Sequence, residues 1–213
     1  SNLFGHFIPI PDDYRNKDGT AWYKLTGPVQ FGLGSSVNQP LILQPTISSH
    51  FVGKETTGKK QFSTLGSFFA VDYAFIKFSG GINASTLGKY NNNGKTPNSF
   101  NDAESLLADC IWDGTNNLHS RSKHPQRSIF YLEVTYDKAI YNDLGLLVDD
   151  SKMQGPKIKK LVKDPIGTEN LIKVLKSRKN EIKEIKIRGS FELDDTVAML
   201  KSKLPKVKWV NCT

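Results

Sequence analysis

A chain of 213 residues is long enough to bury one sizeable core, and 38% hydrophobic with 23% charged residues is the make-up of an ordinary soluble globular protein. No stretch of about 18 apolar residues is present, which excludes a spanning helix, and no basic start followed by an apolar centre marks a secretory signal. The net charge of +8 favours anionic partners (nucleic acid, a phosphorylated cofactor or an acidic protein), although solvated surface lysine accounts for it equally well.

Ser1-Asn2, without methionine, reads as a cleaved tag or processed product. Residues 1–60 set short apolar pieces (Phe7-Ile8, Trp22-Tyr23, Phe31, Leu41 to Leu43, Phe51-Val52) between turn residues, which predicts short strands and loops. Asp18-Gly19 predicts a turn into a strand over Ala21 to Leu25. Gln61 to Thr64 reads as a strand end carrying two hydroxyls. Phe68 to Phe78, broken only by Asp72 and Lys77, is apolar nearly all round and predicts a helix buried in the core.

Asn83 to Ser99 has the composition of a loop. Asn101 or Asp102 can cap a helix to about Trp112 with Ala103, Leu106, Leu107 and Cys110 on one face. A basic patch, His119 to Arg127, then runs into a strand over Ser128 to Thr135, and residues 149–165 return to loop character. Leu171, Val174, Leu175 and Arg178 fit a helix, Ile182 to Arg188 a strand, Asp194 to Leu204 a helix stopped by Pro205, and Val207 to Val210 a last strand. Strand, helix and strand at this spacing make a parallel crossover unit. The cysteines, Cys110 and Cys212, have no CxxC or Cys/His spacing suited to zinc, so no metal site is expected. One disulfide stays open as an alternative, and two buried thiols are the expectation.

Three stretches carry a resemblance in their order. Phe62-Ser63-Thr64 precedes the apolar run, Ile129 to Val134 forms an aromatic strand ending in Glu133-Val134, and Gly167-Thr168-Glu169 opens the next segment. This order resembles the mono-ADP-ribosyltransferase toxins of the cholera- and pertussis-toxin type. Leu65 stands where that family has a second serine, Lys24 in Trp22-Tyr23-Lys24 replaces its arginine, and Gly167 stands where its Gln or Glu would be. The resemblance implies an α+β, ADP-ribosyltransferase-like fold of mainly antiparallel sheets with flanking helices and a C-terminal strand-helix-strand unit. It is read as a single domain over 1–213, with 180–213 open as a C-terminal appendage. It further implies an NAD-consuming toxin or effector, secreted or delivered into a target cell, that modifies a protein acceptor. Glu169 would be the catalytic carboxylate beside the ribose, Ser63 and Thr64 would support the pocket, and Lys24 or Arg15 would meet phosphate. Glu169 equally suits a helix first turn.

Two rival readings stand beside it. His119 and His124, with Arg121, Lys123 and Arg127 interleaved, could supply the acid, base and phosphate clamp of a metal-independent ribonuclease. Alternatively, the Lys-rich unit from Ile182 to Val210 could present a basic face to an acidic protein as a non-catalytic interaction domain.

Overall fold

Short strands that pair in a nested order make up the N-terminal part of the chain. β1 (Gly5–Pro9) lies antiparallel to β2 (Trp22–Thr26), with Gly5 opposite Thr26. At the following turn a Cβ on Gly27 would overlap the Leu3 carbonyl and the Gly5 nitrogen, so only glycine fits there. Val29 N–H then donates to the Leu3 carbonyl at 2.9 Å, which fixes the entry to the next strand.

From there β3 (Val29–Phe31), β4 (Ser35–Ser36), β5 (Ile42–Leu43) and β6 (Thr46–Ser49) run one way. β7 (Thr64–Ser67), β8 (Ala70–Val71), β9 (Ile76–Lys77) and β10 (Gly80–Ile82) return. β6 pairs with β7, β5 with β8, β4 with β9 and β3 with β10, all antiparallel. The pairs therefore form one long two-stranded ribbon. Its register steps by one residue between the β3–β10 and β4–β9 pairs and again before β5–β8, the signature of bulges. Asn38, buried at 3% exposure, fills the second break. Its amide donates to the Tyr73 carbonyl (3.1 Å) and accepts from Phe75 N–H (2.6 Å), while Ser36 Oγ donates to the Asn38 carbonyl (2.8 Å).

The C-terminal part carries the hydrophobic core. β11 (Phe130–Tyr136) runs antiparallel to β12 (Ile182–Gly189), and β12 parallel to β13 (Trp209–Asn211). Along β12 the apolar Ile185 and Ile187 alternate with Glu184, Lys186 and Arg188, so one sheet face is apolar and the other ionic. α2 (Glu169–Ser177) and α3 (Asp194–Lys203) supply Leu171, Leu175 and Leu200, all fully buried, to the cluster around Ile182, Ile185 and Ile187. Leu171 and Leu175 are four apart, which puts both on one helix face. Acidic residues open both helices (Glu169; Asp194, Asp195) and lysines close them (Lys176; Lys201, Lys203), as the helix dipole favours. A 3-10 turn at Leu144–Leu147 packs against α2, and Lys77 Nζ donates to its Gly145 carbonyl at 3.2 Å, tying ribbon to core. α1 (Leu107–Asn117) accompanies β11, joined to it by Ser128 N–H to Asn116 Oδ1 (2.7 Å) and Ser128 Oγ to the Trp112 carbonyl (3.0 Å).

This computed structural model describes residues 3–9, 22–49, 64–83, 86, 103–120, 126–138, 143–149 and 166–211. Among them no helix is long and apolar enough to cross a membrane. The strand-helix-strand unit expected near the C-terminus is present as β12, α3 and β13.

Three expectations are corrected. Phe68 to Phe78 is not a buried helix: it contains β8 and β9, with Phe69 75%, Ile76 53% and Phe78 63% exposed. A two-stranded ribbon has no interior of its own, so an apolar run placed in one stays uncovered. Of the expected face of Ala103, Leu106, Leu107 and Cys110, α1 buries Leu107, but with Ala108 and Trp112, while Leu106 and Cys110 are exposed. Its phase is set by Trp112, the largest side chain it offers the sheet. Cys110 is exposed and free, not buried, and Cys212 lies outside the described residues.

Candidate functional site

The ionic face of the sheet is built by β-strand alternation. On β12, Lys186 and Arg188 point away from the core, opposite Glu133 and Tyr131 of β11. Lys186 Nζ lies 3.2 Å from Glu133 Oε1 and 3.1 Å from Glu104 Oε1. Burial works to lower the Lys186 pKa, but the charges of Glu133 and Glu104 and their hydrogen bonds outweigh it and hold it above the usual lysine value. Arg188 stacks over the Trp112 ring, 4.8 Å from its centroid, with Asp109 and Asp113 each 3.7 Å from Nη1. Both cations are thus held by carboxylates of α1, its preceding turn and β11. With four carboxylates around two cations, this face is net negative and repels an anion.

At the edge of the same unit, Arg127 pairs with Glu192 and sits 5.9 Å from the Phe191 ring centroid. The ribbon offers a different chemistry. Leu33 (99% exposed), Leu41, Ile42, Phe69, Val71, Ile76 and Phe78 stand out along it. Apolar exposure this extended along one element is a contact surface in most proteins. Sequence reading missed that surface because it assigned Phe69, Val71, Ile76 and Phe78 to the core; the cues were Gly32, Gly34, Gly80 and Gly81, which punctuate the two arms. The Arg188–Trp112 pair had a signal too, the charge alternation of Glu184, Lys186 and Arg188 between isoleucines.

The five residues expected to bind or transform NAD fall as follows. Arg15 and Ser63 lie outside the described residues. Lys24 sits in β2 opposite Phe7, and Thr64 opens β7 opposite Ser49. Glu169 is the exposed first residue of α2, in the helix first turn. β7 has β6 as its neighbour, whereas α2 packs on the 3-10 turn. For the ribonuclease reading, His119 is exposed just beyond α1, and His124 lies outside the described residues. Among the described residues no group of three or more His, Cys, Asp or Glu is arranged to hold a metal ion.

The family model described as "CRISPR-associated protein Cas7" matches residues 2–171, most of the chain. A chain of a solved "CRISPR RNA-guided surveillance complex, pre-nicking" aligns with 12% identity and a TM-score of 0.47, over 95% of this chain and 55% of that one. The present chain thus spans about half the length of that neighbour. No curated protein matches.

The family match overturns the ADP-ribosyltransferase resemblance, and with it the toxin or effector role and NAD as substrate. The structure supplies a physical reason: the hydroxyl motif needs a helix after Thr64, and strands β7 and β8 stand there instead. Glu133, in the strand that carried part of the resemblance, is engaged by Lys186. The chain belongs to the Cas7 family of CRISPR-associated proteins.

Proposed function

We propose that this chain is a structural subunit of an RNA-guided CRISPR complex and that it binds the CRISPR RNA. Membership of the Cas7 family carries the reading. Two properties of the chain agree with it. The charge of +8 suits a polyanionic partner that releases counterions on binding. The apolar ribbon, uncovered within the chain, suits an assembly in which neighbouring subunits cover it.

The test is direct. The chain is co-expressed with a CRISPR array, purified, and its bound nucleic acid sequenced; in parallel, labelled repeat–spacer RNA is titrated at several salt concentrations. Co-purifying CRISPR RNA and an affinity that falls steeply with salt are expected. Absence of RNA from the purified material, together with no binding at about 50 mM salt, a concentration at which phosphate contacts hold strongly, refutes the reading.

A further inference from the structure

The C-terminal ends of α2 and α3 converge on a cleft of about 270 Å³ lined by Lys176, Lys179, Lys203, Leu204, Pro205, Lys206 and Val207. Four of its seven lining residues are lysines and none is a carboxylate. Lys176 lies in the last turn of α2, Lys179 in the turn after it, Lys203 at the end of α3 and Lys206 in the turn leading to β13. All four are exposed, and none of their ammonium groups makes a hydrogen bond or ion pair among the described residues. This contrasts with Lys186, Lys208, Arg127, Arg178 and Arg188, each of which is paired with a carboxylate. The cleft also lies beyond residues 2–171, outside the segment that matches the family.

A helix C-terminus draws lysines by its dipole, so the position of Lys176 and Lys203 has a local cause. That cause is too small to account for the whole charge. Two helix ends bring roughly −0.5 each against four full positive charges, leaving about +3 at the cleft. Part of the negative ends is satisfied already: Arg178 N–H donates to the Val174 carbonyl, Leu204 N–H to that of Lys201, and Trp209 Nε1–H to that of Leu204. Beneath the lysines the floor is apolar, with Leu204 and Val207 buried. The cleft lies at the small end of ligand pockets, about 300–1,000 Å³, and has room for one nucleotide unit of a passing polymer.

We propose that this cleft holds the phosphate backbone of single-stranded nucleic acid, with a ribose or base resting on Leu204, Pro205 and Val207. The assignment rests on the RNA-binding reading above and adds a site to it. Lysine meets phosphate as a point charge from any direction, which fits four separate stems and no planar fork.

The full-length chain is titrated with fluorescently labelled single-stranded RNA and DNA of equal length from low to moderate salt. Lys203→Gln with Lys206→Gln is compared with Lys173→Gln with Lys183→Gln, two exposed lysines outside the cleft that carry the same charge change. The cleft pair should reduce the slope of log affinity against log salt by about 1.4, near 0.7 per lost phosphate contact, and the control pair by less than half of that. Lys203→Arg with Lys206→Arg should keep the wild-type slope. A loss on both strands assigns the backbone in general, and a loss on RNA alone narrows the ligand to RNA. Equal slopes for the cleft and control pairs, with wild type binding RNA, overturn the cleft and leave the RNA-binding reading standing. Wild type that binds neither strand overturns both. Polyglutamate of equal charge bound more tightly than either oligonucleotide, with that preference lost in the cleft pair, overturns the assignment in favour of an acidic protein.

Discussion

The backbone N–H of Phe75 donates to the side-chain oxygen of Asn38 at 2.6 Å, across 37 residues of chain. The bond sits where the ribbon slips register and ladder hydrogen bonds lapse. A side chain thereby replaces the missing rung on both sides of the break, since the same amide also reaches the Tyr73 carbonyl. Asn38→Ala leaves a donor and an acceptor unpaired, at a cost of about 1–3 kcal/mol. Amide exchange of Phe75 and Val37 should accelerate roughly tenfold to a hundredfold, while amides of β12 keep their protection. Unchanged exchange at Phe75 contradicts this role.

Leu171 and Leu175 have no exposed surface and face Ile185 and Leu200 in the core. Truncating either to alanine should lower stability by about 2–5 kcal/mol, read as a fall in the urea midpoint. Lys173→Ala, on the exposed side of the same helix, should stay within about 0.5 kcal/mol of wild type. Similar losses for all three variants would contradict packing as the source, since alanine is the better helix former and propensity alone would leave each replacement neutral or stabilising.

Lys186 is held between two carboxylates at 12% side-chain exposure. Lys186→Met leaves Glu133 charged and partly buried, and should cost about 3 kcal/mol at neutral pH; adding Glu133→Gln should recover part of that loss. The pH dependence has a fixed sign. The folded pKa lies above the ordinary 10.5, so the lysine's contribution is complete below that value and disappears as pH rises through the folded one. Denaturation midpoints of wild type and Lys186→Met should therefore differ by a constant amount from pH 7 to 9 and converge above pH ~10.5. A gap that persists at the highest pH reached would contradict the ion pairs with Glu133 and Glu104 as its source.

Phe69, Val71 and Phe78 are each more than half exposed. Replacing them together with aspartate should leave chemical stability within about 1 kcal/mol, because surface substitutions away from packed contacts change little. The same variant should fail to enter a complex with the other subunits and RNA, measured by size-exclusion chromatography after co-expression. Normal assembly of the triple variant would remove the ribbon from the contact surface.

The C-terminal unit was legible in the sequence because its packing is periodic. Leu171 and Leu175 repeat at helical spacing, Ile185 and Ile187 at strand spacing, and Pro205 marks the helix stop. The ribbon was not legible, for a physical reason: Phe68 to Phe78 is as apolar as a core segment, yet its side chains stand exposed on a two-stranded ribbon. Periodicity reports apolarity, not who covers it. The helix α1 misphasing has the same origin, as Leu106 is apolar but 58% exposed. At the site, Lys203 and Lys206 belong to the Lys-rich stretch read as a basic face, whereas Lys176 and Lys179 lie upstream of it, and only the fold, by joining two helix ends, brings the two pairs together. The hydroxyl and carboxylate motifs misled because a few residues in order recur by chance, and what distinguishes them is the element that follows.

The buried centre of the molecule lies between Leu171 and Val207, whereas the ribbon is complete at Ile82. On a ribosome adding about 5–20 residues per second, roughly 5–20 s separate the emergence of these two parts. Through that interval the greasy arm is outside the tunnel with nothing of its own chain to dock on, and nascent copies on one messenger can meet arm to arm. Yield in a host cell should then rise when the arm is covered early, a dependence that expression with and without the proposed partner subunits would reveal.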